Sequence, residues 1–511
     1  MNYLDWIIVA VYGGVLIAIS YYLSKSQENT GDYFLGGRSF TWWPIGLSSM
    51  ATQLGAISFI SAPAFVGFRE GGGMIWLTYE FAVPLAMILL LTVIFPPLYK
   101  SGITSIYEYL EKRFGYGTRA LLSLVFQFSR AFATGITIYA VGLVLNAVFG
   151  IPLWINIVVT GIGAVIYDYL GGIKAVIISD VIQMGILFIG IFICAGFALD
   201  LIGGWSVFVE QLDPARLNVL EFDNFGIGDG REFGFLPMVF GGFFLYASYY
   251  GCDQSQAQRM LTAKNMGQVR KALIFNGLFR FPLVMLYAIM GLIIGTFAIM
   301  TPEFYNSIPA DNPDYLVPVF IVEYLPHGLI GLLVIAILAA AMSSLDSALN
   351  SLSAVTLEDF ILHERKEGLD KKTELFYSKM ITLGWGIVCI ALAFLAGNIA
   401  QTVIEAINKI GSLFYGPIIV TFLLAALTRR TTGMGMNIGI LAGVLANTIL
   451  WVFFSDQVFW FWWNASGAVV TYTVAYIVSR FSTRDTAEKI IELDAIEFRT
   501  GESLMLVGYF V

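Results

Sequence analysis

Within a long apolar segment, Leu338-Ala-Ala-Ala-Met-Ser-Ser-Leu-Asp-Ser-Ala-Leu-Asn350 sets three serines, an aspartate and an asparagine among alanines and leucines. A hydroxyl or carboxylate in hydrocarbon needs a partner, because leaving it unsatisfied costs several kcal/mol. On a helix Ser343 and Ser347 share a face with Ala340, and Ser344 lies one position round. Oxygen ligands on a helix of small residues suit a hard, weakly held cation such as sodium. The competing reading is a seam of small residues along which two helices approach closely. That seam accounts for the alanines equally well, but not for three serines together with Asp346.

A second group is ionisable. Arg130, Arg280 and Lys409 fall inside apolar segments, as do Glu80, Asp180 and Asp346. A charge at the bilayer centre costs at least ~2.5–3.5 kcal/mol on insertion scales, so each needs a partner or a wet cavity. Glu80 could form a structural ion pair with Arg280 or Arg130, or either arginine could be left for a ligand. Asp168 falls near the end of its segment, where a solvated helix end explains it.

The elements that must hold these residues follow from composition. Hydrophobic residues make up 58% of the chain and charged ones 13%, with a mean hydropathy of +0.78, which marks a polytopic membrane protein. Apolar runs between polar loops predict about thirteen helical spans. Their limits are 3–23, 43–68, 74–97, 119–149, 153–170, 176–203, 235–250, 272–300, 328–357, 375–397, 402–427, 434–455 and 459–479. The fold is therefore all-α, a single transmembrane unit over 1–480 with a short tail over 481–511. Ile103–Phe114 is too charged to cross and reads as an interfacial amphipathic helix. The first span has no basic leader or small-residue cleavage site and reads as a retained helix. The apolar end Leu504–Val511 is too short to span; it reads as a surface-lying segment or the start of a further helix.

Orientation follows from the 28 basic residues. Three lie within spans, and only Arg69, Arg216 and Arg231 fall in the loops on the N-terminal side of the membrane. All others lie on the opposite face. The asymmetry predicts an outside N-terminus and a cytoplasmic C-terminus in a cell (inner) membrane. The net charge of −8 reflects acidic outer loops and the tail, and implies no nucleic-acid partner. Cys194, Cys252 and Cys389 are dispersed, only two histidines occur, and no nucleophile-elbow, zinc-protease or phosphate-loop motif is present. No enzyme is indicated.

Two spans read as broken. Ser48–Ser61 (SSMATQLGAISFIS) places Gln53, Gly55 and several hydroxyls in mid-membrane, and Tyr246–Gln254 (YASYYGCDQ) is again polar with a glycine. Unwound backbone at that depth survives only where protein buries it or it lines a cavity. Paired interruptions five spans apart are the trace of an inverted-repeat transporter, with repeats of about 43–203 and 235–427.

Five motifs in order carry a resemblance over residues 1 to about 480. They are Asp32-Tyr-Phe-Leu-Gly-Gly-Arg38, Thr104–Phe114, Tyr169-Leu-Gly-Gly-Ile-Lys-Ala-Val176 with Ser179–Gln183, Asp253-Gln-Ser-Gln-Ala-Gln-Arg259, and the serine stretch continuing through Val355–Asp359. The chain resembles the sodium/solute symporter family, which includes sodium/galactose and sodium/sialic acid transporters. The resemblance implies a LeuT-type five-plus-five inverted repeat with flanking helices, and alternating access. It also implies sodium (Na+) held by backbone carbonyls of Ala51, Leu54 and Ala340 and by the hydroxyls of Ser343 and Ser344. A second sodium at Asp180 and Ser347 is implied by some relatives; here Asp346 replaces a serine, which leaves that site open.

The same resemblance outlines a solute cavity. Ser58, Glu80 and Arg280 match sugar-contacting positions, and Tyr249 matches an aromatic gate. Tyr246 replaces an asparagine and departs from sugar recognition. Arg130 resembles the arginine that grips a carboxylate, which a guanidinium does bidentately. Expected partners are therefore sodium, a small organic solute (sugar, sialic acid or other carboxylate) and lipid, with the chain working as a monomer. Carriers of iodide, monocarboxylates or vitamins are the alternative class; an uncoupled uniporter or a transporter-like sensor is a different one.

Overall fold

The computed structural model describes residues 2–24, 35–168, 173–228, 230–364, 370–482 and 500–508. The first part of the Asp32–Arg38 motif, the start of Tyr169–Val176 and most of the tail lie outside them. The described residues are almost wholly helical, with two isolated bridges, Phe40 to Ala263 and Ile227 to Val458. Among the described residues eight helices are long and apolar enough to cross a membrane, or up to ten if each of two bent pairs is one span. Where described, the thirteen predicted segments overlap helices, of which eight to ten pass that test; Tyr3–Val15 and Leu153–Val165 are shorter apolar helices.

The first bent pair is α1 (Trp42–Gln53) and α2 (Ala56–Gly67), which meet at 52° across Leu54 and Gly55. Around it stand α3 (Met74–Lys100), α4 (Tyr116–Phe149) and α5 (Ile173–Ile202). Next come α6 (Phe235–Cys252), the short α7 (Gln254–Leu261), α8 (Met266–Met300) and α9 (Leu329–Thr356). The second bent pair is α10 (Val403–Ser412) and α11 (Tyr415–Leu427), at 45°.

The second predicted break, Tyr246–Gln254, narrows to its far end. Tyr246–Cys252 is continuous helix, and the chain breaks only at Asp253, whose extended backbone leads into α7. The Tyr246 hydroxyl bonds Glu80 and the Tyr250 hydroxyl bonds Asn276, whereas Ser248 Oγ is buried without a partner; polarity there marks a lining rather than an unwound turn.

Close packing rests on small residues. Gly291 and Gly295 of α8 face Gly67 and Pro63 of α2. A Cβ on Gly291 would stand 2.6 Å from Pro63, and one on Gly295 2.2 Å from the Gly67 carbonyl oxygen. This small-xxx-small pair lets two backbones touch, the usual glue of helices in lipid. The serine-bearing α9 is fixed at its start by a flanking helix. Asp5, fully buried, accepts from the Gly328 N–H (2.6 Å) and the Gly331 N–H (3.1 Å), a carboxylate cap at the positive end of the helix dipole. Thr500–Gly508 forms a short helix whose Leu506 is buried at Gly277 of α8.

Candidate functional site

The break between α1 and α2 frees carbonyls that a continuous helix would use. The Leu54 carbonyl accepts from the Tyr287 hydroxyl of α8 at 2.7 Å. A Cβ on Gly55 would stand 2.6 Å from the Ala51 carbonyl oxygen and 3.7 Å from Ser344 Oγ. The missing side chain therefore opens the Ala51 carbonyl toward α9. Across the gap, the Ser344 hydroxyl donates to the Ala340 carbonyl at 3.1 Å. Two oxygens at that separation can flank one ion with oxygen ligands at roughly 2.3–2.6 Å, as calcium-type sites show.

The Ser343 hydroxyl donates to Asp180 of α5 and keeps its oxygen lone pairs as acceptors. Asp180 also accepts from Ser48 of α1 at 2.5 Å and faces the Arg259 guanidinium at 3.3 Å. Arg259 is fully buried, bonds Ser48 Oγ at 2.9 Å, and fixes α7 beneath the start of the broken helix. Asp346 is buried on α9, and the Ser347 hydroxyl donates back to the Ser344 carbonyl at 3.4 Å. Among the described residues no group of three or more His, Cys, Asp or Glu gathers. The donors at the break are carbonyls and hydroxyls, the set a hard monovalent cation uses.

Beside the break lies a cavity of about 100 Å³, lined among others by Gln53, Ser58, Arg130, Tyr246, Tyr249 and Arg280. The Ser58 hydroxyl donates to the Gln53 carbonyl (2.9 Å), so it closes the break from inside. Glu80 sits behind the wall, fully buried, and pairs with Arg280 rather than Arg130. Arg280 Nε meets Glu80 Oε2 at 2.8 Å, Nη2 meets Oε1 at 3.2 Å and the Tyr246 hydroxyl at 3.0 Å, and Nη1 meets Gln53. The Tyr246 hydroxyl in turn donates to Glu80 at 2.7 Å. Arg280 is saturated.

Arg130 is not. It donates to the Ser255 hydroxyl, its nearest carboxylate is Asp253 at 3.7 Å, and its buried Nε has no hydrogen-bond partner. Its guanidinium lies 5.6 Å from the centre of the Tyr249 ring, which packs 6.1 Å from Tyr415. Lys409 is only half-buried. By sequence Arg259 counts as a loop cation, and nothing in the apolar run around Tyr287 singles it out. A signal for Arg259 existed: a membrane carboxylate such as Asp180 demands a cation, and the Asp253–Arg259 stretch offers one.

Residues 33–443 match the model of the sodium:solute symporter family. The chain belongs to the sodium:solute symporter family. It is 32% identical to the human sodium-coupled monocarboxylate transporter 1 over 88% of this chain and 73% of that protein, and with its family and its apolar helices the symporter is a multi-pass membrane transporter. The bovine sodium-coupled monocarboxylate transporter 2 is 31% identical over 86% of this chain and 69% of its own. Among solved structures, a Na+-coupled sialic acid symporter in a substrate-bound outward-open state superposes with a TM-score of 0.81 at 24% identity, over 94% of this chain and 98% of that one. The symporter thus has the LeuT-type fold, couples a small organic solute to sodium, and is a transporter rather than an enzyme.

Proposed function

We propose that the symporter imports a small monocarboxylate with one sodium ion, and that Arg130 receives the carboxylate. The observation that carries this reading is the contrast in hydrogen-bond accounting between the two cavity arginines. Arg280 has a bidentate carboxylate already, whereas Arg130 keeps a buried N–H without an acceptor and has no carboxylate closer than 3.7 Å. Cavity size supports it. An engineered cavity of ~150 Å³ holds one benzene, so about 100 Å³ takes a solute of roughly that size or smaller. That suits a short carboxylate better than a nine-carbon sugar acid or a hexose. The monocarboxylate relatives point the same way.

Sodium is assigned to the Ala51, Leu54 and Ala340 carbonyls with Ser344 and Ser343, and Gly55 supplies the opening. A second sodium at Asp180, Asp346 and Ser347 is the weaker reading, because the cation beside Asp180 is the Arg259 guanidinium. The repeats would span about 43–203 and 235–427. The Arg259 end of the broken helix faces the cytoplasm and the Arg69 end faces outside. Sodium orders the break, the solute enters between the repeats, and Tyr249 with Tyr415 moves aside for inward release.

The test is uptake of labelled L-lactate, pyruvate, galactose and sialic acid into proteoliposomes, in sodium and in choline. Sodium-dependent uptake of the two short acids alone is expected. Equal uptake in choline, or uptake of galactose only, would overturn the reading.

A further inference from the structure

At the far end of the broken helix stands a second buried polar cluster that the transport reading does not use. Asp314 lies on a single turn (Pro313–Tyr315) and is 1% exposed. One carboxylate oxygen accepts from the Val403 N–H at the start of α10 (2.7 Å). Beside it the Ser61 hydroxyl of α2 accepts from the Ile404 N–H (2.9 Å). The loop, the broken helix and the second bent helix are thus tied at one point. The other oxygen, Oδ1, is buried with no hydrogen-bond partner.

A cavity of about 10 Å³ borders Asp314, shared with Asp311, Asn312, Tyr139 and Thr402. That is the space of a single water. The charged groups around it are mostly acidic. Glu405, one turn into α10, pairs with Arg69 at 2.8 Å, Arg69 also reaches Glu232 at 3.1 Å, and Asp311 lies at the exposed rim. Arg69 is shared by Glu405 and Glu232, and among the described residues no cation pairs with Asp314. Burial pushes the Asp314 carboxyl up to about 7, against the pull of Ser61 and the Val403 N–H, and Glu405 adds to the rise.

We infer that Asp314 is a proton-operated latch: protonated, it stays dry and holds the first turn of α10 against α2; ionised, it draws water and α10 lifts. The consequence reaches the solute, because α10 carries Ile404, Ile407 and Asn408 on the cavity wall. The sign follows from linkage. The closed state binds the proton more tightly than a hydrated open state with an ordinary carboxyl near 3.9, so acid favours closure. Between pH 8 and 5.5 the closed-to-open ratio rises about 30-fold.

Hydrogen–deuterium exchange of residues 403–408 in the purified full chain, corrected for intrinsic rates, reads this without any solute. Protection should stay nearly level above pH 7 and climb below it, about 30-fold from pH 8 to 5.5. Asp314→Asn, neutral but still an acceptor for Val403, should be protected and flat across that range. If that variant does not fold, Ser61→Ala should move the onset of the climb to higher pH. A flat wild-type profile, or an unmoved onset in Ser61→Ala, overturns the latch. An onset that falls as sodium replaces choline would put sodium on Oδ1 and overturn the proton. The side of action rests on the orientation proposed above. Proteoliposomes with pH set separately on each face, read by L-lactate uptake, should slow with acid outside. Slowing with acid only inside would overturn the orientation and leave the latch.

Discussion

Arg280 and Arg130 line the same cavity and are almost equally buried, at 4% and 7% exposure, yet they do different things. Arg280 is one corner of a closed network with Glu80, Tyr246 and Gln53, every strong donor spent. Arg130 rests on a hydroxyl, a ring face and a distant carboxylate. Burial and charge are therefore poor guides to which cation meets a ligand. The count of unspent donors separates them, because an unmade buried hydrogen bond is what a solute can complete.

The largest effect should come from breaking the closed network. Glu80→Ala leaves Arg280 buried without its carboxylate, a loss of about 3–5 kcal/mol where one partner of a buried pair is removed. Thermal unfolding in detergent should show a strongly destabilised protein with poor yield. A Glu80→Ala protein of wild-type stability that only loses solute affinity would move Glu80 from scaffold to ligand, and the comparison would fail.

Arg130 should behave in the opposite way. Arg130→Lys keeps the charge but loses the planar fork, so it should fold normally and bind the carboxylate more weakly. A charged hydrogen bond contributes about 1.5–3 kcal/mol, roughly 10- to 100-fold in affinity. The readout is KM for L-lactate uptake against melting temperature. A fall in stability with KM unchanged would make Arg130 structural.

The two arginines also show how far the sequence could be read. Both were visible as cations in apolar segments, and the pairing of Glu80 with one of them was a stated alternative. Which one it pairs with depends on a contact across 200 positions, set by how α3, α6 and α8 pack, and no local pattern encodes that. The helices themselves were legible because each carries its own apolar run. The break at Gly55 was legible because polar residues and a glycine interrupt such a run. The same polarity at Tyr246–Cys252 misled, since hydroxyls facing a cavity in intact helix look identical in sequence. Arg259 was missed because a short helix tucked under the bundle has no apolar run to announce it.

A smaller effect is expected at the ion. Ser344→Ala removes one oxygen beside the Ala51 and Ala340 carbonyls, and about 1.4 kcal/mol lost would raise half-maximal sodium tenfold. Gly55→Ala should do at least as much, because its Cβ would press on the Ala51 carbonyl. Ser343→Ala also takes a donor from Asp180, so its sodium defect should come with some loss of stability. Sodium dependence unchanged in both Ser344→Ala and Gly55→Ala would reduce the serine face to a packing seam.

The smallest expected effect is zero. Over a full cycle the protein's fixed charges return to their starting positions, so the net charge moved is that of the cargo alone. One sodium with one monocarboxylate is then electroneutral. L-lactate should evoke no current on a sodium-loaded membrane, and membrane voltage, which would otherwise contribute ~2.3 kcal/mol per charge per 100 mV, should leave uptake unchanged. One inward charge per lactate would restore a second sodium at Asp180, Asp346 and Ser347, and would require Arg259 to swing away from Asp180 during the cycle. Arg259→Gln separates these cases. With one sodium it strips Asp180 of its cation and should weaken folding; with two, an ion can take the place of the guanidinium, and sodium should rescue the variant's melting temperature.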